Sequence, residues 1–271
     1  MKSTIGIIDS GVGGLSVLKE AMRLLPGEDF IYLGDNARCP YGIRPTQEIY
    51  QFTKEMIDYL ISQEVSTIVI ACNTATAVAL DQLKELYDIP LIGVIQPGAK
   101  KAVQTTNSKR VGVIGTKNTI QSKSYTEAIQ LLDQSIHIFD LATQNFVDLV
   151  ERNMTDESIT LPIIERTLQP LMDESIDTLI LGCTHFPLLS SVIQRAVGPN
   201  IRLIDSGYET AYVLKEKMSQ SLDVFEQKND RPPVNVRFLT TGDVTHFKTI
   251  AERWLQMEIE HVQQITLGEF K

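Results

Sequence analysis

Cysteine is scarce in this chain: three residues in 271, Cys39, Cys72 and Cys183, with no CxxC pair. So small and odd a set argues against a disulfide framework and a structural zinc site. It leaves thiol chemistry as the role open to these residues. Positive charge is also short, with 25 Lys and Arg against 34 Asp and Glu and a net charge of −9. A sequence-blind nucleic-acid binder needs a basic face, and so does a surface built for anionic membranes, so neither class is favoured. The four histidines, His137, His185, His246 and His261, form no spaced cluster, and no metal site is expected. No apolar run approaches the ~18 residues of a bilayer span. Met1-Lys2-Ser3 leads straight into TIGIID without a leader pattern, which makes the cytoplasm the expected compartment. Low-complexity sequence is absent.

What the chain does have is apolar residues, 43% of the total, enough to build a substantial core. They gather into short, nearly continuous runs at residues 5–8, 30–33, 67–71, 91–94, 111–115, 136–140, 178–181 and 201–204. Continuous runs of this length fit parallel strands covered on both faces. Helical periodicity fills the gaps, as at 46–62, 75–87 and 157–172, and the alternation predicts an α/β fold. The tail adds a strand at 234–240, a helix at 244–254 and a last strand at 261–265. About ten strands exceed what one doubly wound sheet usually holds, so two smaller sheets with a cleft between them are expected. The polar piece at 220–233, ending in two prolines, reads as a linker or surface loop.

The glycines of DSGVGGLSV (Asp9 to Val17) invite a dinucleotide reading, since they follow a strand and open a helix. The fingerprint fails: Gly11 and Gly13 are in place, but Ser16 stands where the third glycine belongs. Asp9 at the strand end would also repel a pyrophosphate, although Asp35 at the next strand end resembles a ribose-binding acid. The simpler reading is a tight strand-to-helix turn that holds Asp9-Ser10 at the carboxyl edge of a sheet. That edge is where open α/β sheets bind ligands.

One internal echo stands out. VIACNTATAVALDQL and LILGCTHFPLLSSVI share a plan of apolar strand, small residue, Cys, polar residues and helix. The two cysteines are 183 − 72 = 111 residues apart, far beyond any solenoid period. Either thiol alone could be an ordinary buried cysteine. Two in matching frames read as two halves of one site. A helix N-terminus favours a thiolate, and Asn73-Thr74 and Thr184-His185 supply donors suited to a carboxylate ligand. Their plainer role is helix capping. His185, two residues after Cys183, is a candidate general acid beside a thiol. The loop CPYGIRP (Cys39 to Pro45) is punctuated by Pro40, Gly42 and Pro45, and Cys39 has no echo partner and no expected catalytic role.

Taken in order, DSGVGGLSVL, GDNARCPYG, VIACNTATAVAL, VIGVIQPG, GVIGT, LILGCTHFPLL, LIDSG and TTGD resemble the glutamate racemases of the cofactor-independent aspartate/glutamate racemase family. The resemblance runs from Ile5 to about Thr241. It implies racemisation of glutamate without pyridoxal phosphate or metal, by two thiols on opposite faces of Cα, with D-glutamate going to peptidoglycan. It implies that Cys72 takes the proton from D-glutamate and Cys183 from L-glutamate. Asp9 would assist Cys72, and His185 and Glu151 would assist Cys183. Asp9-Ser10, Tyr41-Gly42, Asn73-Thr74 and Thr184-His185 match the family's substrate-contacting pairs. It further implies two α/β domains, 1–97 with 206–271 and 98–205, the active site in the cleft between them, and possible homodimers.

Two features depart from the family pattern. LATQNFVDLVE (Leu141 to Glu151) stands where a Cys-Pro strand end is expected, and Phe186 stands where tyrosine is common. Other readings are an aspartate or related amino-acid racemase, and a two-domain amino-acid-binding module without catalysis.

Overall fold

The computed structural model describes residues 3–152, 154, 156–221 and 234–268. Its strands are β1 Thr4–Asp9, β2 Asp29–Gly34, β3 Thr67–Ile70, β4 Leu91–Gly93, β5 Arg110–Gly115, β6 His137–Ala142, β7 Thr178–Gly182, β8 Arg202–Asp205, β9 Val236–Thr240 and β10 Val262–Gln264. They form a six-stranded sheet of order β10-β9-β2-β1-β3-β4 and a four-stranded sheet of order β6-β5-β7-β8. Every pairing is parallel. The class is α/β, as the alternating pattern indicates.

Contacts divide the chain into two units, Met1–Val94 with Gly207–Lys271, and Ile95–Ser206. The first division falls at 94–95 rather than 97–98, because the helix Ile95–Thr105 packs on β7 and β8. That helix contains Pro97 and Gly98. Pro97 sits in the first turn, where a helix has no use for its missing N–H. A Cβ on Gly98 would stand 3.0 Å from Ser206 Cβ, so glycine permits the close approach.

In the first unit the two faces of the sheet are sorted by strand alternation. Ile5, Ile7, Tyr32 and Val69 enter one core, with Ala211, Leu214 and Met218 of the helix Ser206–Ser221. Ile8, Ile31, Leu33, Ile68 and Ile70 enter the other, with Ile57 and Leu60 of the helix Thr46–Ser62. Each such aliphatic side chain contributes about 1.5–3 kcal/mol by burial, which is why these runs carry no polar alternation. The tail returns to this sheet as β9 and β10. Most of the 220–233 piece lies outside the described residues; 220 and 221 close the helix Ser206–Ser221.

In the second unit Ile114, Leu179 and Leu181 pack with Ile164 and Leu168 of the helix Glu157–Met172. β6 runs to Ala142, two residues past the expected end. It is an edge strand with partly exposed side chains, so its apolar signal is weak while its pairing with β5 continues through Gly115 and Ala142. No helix among the described residues is long and apolar enough to cross a membrane.

Candidate active site

At the carboxyl edge of the first sheet, register brings the sequence motifs together. Asp9 pairs with Gly34 and Ile8 with Ile70, so the chain emerges from β1 as Ser10 beside Ala71-Cys72 emerging from β3. The Ala71 N–H donates to the Ile8 carbonyl at 2.9 Å, and Cys72 Sγ lies 3.6 Å from Ser10 Oγ. Cys72 is the N-cap of a fourteen-residue helix, Asn73–Leu86, and its sulfur accepts from the Ala75 N–H at 3.4 Å. The helix therefore starts two residues before the expected Ala75. Asn73 and Thr74 are buried in its first turn.

Asp9 is fully buried, and its carboxylate accepts from the Gly11 N–H at 3.0 Å. Tyr32 underpins this turn by donating its hydroxyl to the Gly11 carbonyl at 2.8 Å. Burial first, then nearby Asp9, Cys72 and Cys39, push the Tyr32 phenol well above its ordinary pKa, so it remains a donor. Gly14 completes the turn. A Cβ there would stand 2.6 Å from Asp9 Cβ, 2.9 Å from the Tyr32 hydroxyl and 3.0 Å from Ala71 Cβ. Gly14→Ala is expected to cost ~1–3 kcal/mol by overpacking and to displace Asp9. Thermal unfolding and an activity assay check this; a variant matching wild type in both would contradict this account of the turn.

Asp35 is no ribose-binding acid. Its buried carboxylate accepts from Arg38 Nε at 2.7 Å, from Thr241 Oγ1 at 2.7 Å and from the Tyr41 hydroxyl. Tyr41 and Gly42 are buried in a tight turn, Tyr41–Ile43, with the phenol committed to Asp35. Cys39 lies half-buried with its sulfur against Gly11.

The second sheet has its own edge. Gly115 of β5 pairs with Gly182 of β7, and Leu181 pairs with Asp205 of β8, so Thr116, Cys183 and Ser206 emerge together. The α-helix expected directly after Cys183 is absent. The Phe186 N–H donates to the Cys183 carbonyl at 3.1 Å and the Leu188 N–H to the His185 carbonyl at 3.2 Å. These tight bonds and Pro187 make a 3-10 turn, Phe186–Leu189, and the α-helix begins only at Ser190. Thr184 and His185 are buried within this bend. Phe186 is buried edge-on against Phe146, with ring centroids 5.6 Å apart.

What Cys183 has in place of an α-helix is a relay. His185 Nδ1 lies 3.7 Å from Cys183 Sγ, and His185 Nε2 lies 2.6 Å from Glu151 Oε1. Glu151 ends the helix Gln144–Glu151, so the departure at Leu141–Glu151 leaves its carboxylate in reach of His185. Burial alone would lower the His185 pKa. The Cys183 sulfur and the Glu151 carboxylate outweigh it and raise the value to about 10, so the ring is cationic at neutral pH. Sequence reasoning passed over Thr116 and Thr119, two buried hydroxyls 3.0 Å apart at the end of β5. The signal was there in GVIGT, a threonine at a strand end. Among the described residues no group of three or more His, Cys, Asp or Glu could hold a metal ion.

A family model described as Asp/Glu/Hydantoin racemase matches residues 5–211. A glutamate racemase of Exiguobacterium sibiricum is 49% identical over 270 residues, spanning 99% of this chain and 97% of its own. The chain belongs to the Asp/Glu/hydantoin racemase family. Among solved structures, a glutamate racemase of Bacillus anthracis superposes with a TM-score of 0.91 at 42% identity, covering 97% of each chain. One from Francisella tularensis, solved in complex with D-glutamate, gives 0.89 at 33% identity over 99% of each chain.

Within this family frame the two thiols are set up differently. Cys72 meets the N-terminus of a long helix, where oriented N–H groups favour an anion. Cys183 meets a protonated imidazole held by a carboxylate. Both settings place positive potential beside a sulfur, one from the backbone and one from a side chain.

Proposed function

We infer that the chain is an isomerase that interconverts L- and D-glutamate by a two-base mechanism, supplying D-glutamate in the cytoplasm for peptidoglycan. The full-length likeness to glutamate racemases supports the substrate. The observation that carries the mechanism is the pair of strand-end thiols, one in each unit, each with its own acid/base partners. Cys72 has Ser10 and the helix N-terminus, with Asp9 assigned to it by the family resemblance; Cys183 has His185, which Glu151 holds.

In this mechanism one thiolate removes the Cα proton and the opposite thiol returns a proton to the other face. A single base would tend to return the proton where it came from. Cys72 serves D-glutamate and Cys183 serves L-glutamate. The Cα–H is a very weak acid, so the carbanion needs fixed donors and exclusion of water. Amide and hydroxyl donors at Ser10, Tyr41-Gly42, Asn73-Thr74 and Thr184 hold the two carboxylates. His185, cationic throughout, stabilises the Cys183 thiolate left after that thiol has given its proton. No step calls on a bound cofactor.

Chiral chromatography of L-glutamate, D-glutamate and both aspartates, incubated separately with the protein and no added cofactor, tests the reading. Glutamate is expected to reach a one-to-one mixture. Turnover of aspartate alone would replace the substrate; binding without turnover of any of them would make the chain a binding module.

A further inference from the structure

TTGD closes the run of sequence motifs, yet neither thiol uses it. Its second threonine, Thr241, follows β9 and sits beside the end of β2, where its N–H donates to the Gly34 carbonyl at 3.1 Å. The hydroxyl makes two further bonds. It accepts from the Ala37 N–H at 3.0 Å and donates to Asp35 Oδ1 at 2.7 Å. One hydroxyl thus ties both ends of the turn that leaves β2. Thr240 adds a third tie, donating to Asn36 Oδ1 at 2.9 Å.

Asp35 passes this constraint on. Its other oxygen accepts from the Tyr41 hydroxyl and from Arg38 Nε. Arg38 reaches Glu55 through Nη1 at 2.5 Å and its guanidinium carbon lies over the Phe52 ring, 3.9 Å from the centroid. Tyr41 packs on the same ring at 5.7 Å. The Tyr41–Gly42 turn therefore hangs from Asp35, and Asp35 is held by a residue 206 positions away in sequence. Arg38 Nη2 is buried and has no hydrogen-bond partner, so the guanidinium's own bonding is incomplete and Asp35's hold on it matters more.

We propose that Thr241 is a positioning residue for substrate binding, fixing the Tyr41–Gly42 turn through Asp35. This rests on the reading that Tyr41-Gly42 contacts the substrate. Thr241 touches neither thiol motif in the bonds above; its effect is on where the turn stands. A displaced turn weakens the hold on substrate in ground state and transition state alike, so KM rises while kcat is nearly kept.

The experiment measures kcat and KM in both directions for wild type, Thr241→Val and Thr241→Ser. Valine keeps the shape and removes the hydroxyl; serine restores it. Thr241→Val is expected to raise KM about five- to ten-fold, the scale of one lost hydrogen bond, with kcat within about two-fold. Thr241→Ser is expected to return KM to near the wild-type value. An unchanged KM, a fall in kcat at constant KM, or a serine variant as impaired as valine would each overturn the proposal. A wild-type protein that does not turn over glutamate would instead overturn the function itself, so the two failures are distinct.

Discussion

Replacing either strand-end thiol is expected to reduce racemisation by about 10²–10⁴-fold, the usual contribution of a general acid or base, and in a two-base scheme toward the upper end. Cys72→Ala removes the thiol that donates to Ser10 Oγ, and Cys183→Ala removes the sulfur beside His185. In the proposed two-base mechanism each leaves one face of Cα without a proton donor. Cys39→Ala is expected to keep most of the activity, because Cys39 stands outside the two echoed strand-end motifs and its sulfur packs against Gly11. Thermal unfolding of all three variants separates chemistry from folding. The losses must appear equally in kcat/KM for both directions, since the enantiomers have equal free energy and their interconversion constant is one. A single cysteine variant that kept near wild-type turnover would refute the paired-thiol mechanism.

Glu151→Gln is expected to reduce activity about ten-fold at neutral pH and to move the alkaline limb of the pH profile downward. The sign follows from the forces on His185. Burial lowers its pKa, while Cys183 and Glu151 raise it to about 10, so the wild-type ring stays cationic across the neutral range. Glutamine keeps an acceptor for Nε2 but removes the charge. The raising influence shrinks, burial counts for more, and the ring loses its proton at lower pH. Above that point the Cys183 thiolate has no cation beside it and activity falls. A kcat/KM profile over pH 6–10 for wild type and variant reads the effect. An alkaline limb that stays put in Glu151→Gln would mean that His185 is not controlled by this carboxylate.

How far the sequence led depended on where each contact's information lies. The central strands were legible because both faces of each are buried, so no polar residue interrupts Ile5–Ile8 or Ile68–Ile70. The start of the Asn73–Leu86 helix was nearly legible, and missed only because a cysteine is an unfamiliar cap. The Ile95–Thr105 helix holds Pro97 and Gly98 at positions that permit a helix. The bend after Cys183 was misjudged through the echo itself. Cys72 precedes small residues that continue as α-helix, whereas Cys183 precedes Pro187 and a 3-10 turn.

The site divided in the same way. Asp9, Cys72, Cys183 and His185 each lie in a short strand-end motif, so local reading singled them out as candidates. The Glu151–His185 bond spans 34 residues and the Asp35–Thr241 bond 206, and nothing local encodes either. Asp35 is the sharpest case. From sequence it resembled a ribose ligand; three internal donors give it a different task.

The central claim is that two thiols act on opposite faces of one carbon. It is tested most directly by following the first few per cent of D-glutamate turnover in deuterated water by mass spectrometry of each separated enantiomer. The L-glutamate formed is expected to carry deuterium at Cα almost completely, because its hydrogen comes from Cys183, a thiol equilibrated with solvent. The remaining D-glutamate should stay protonated. L-glutamate that retained the original Cα hydrogen would show one base moving a single proton across the carbon, and would contradict the account.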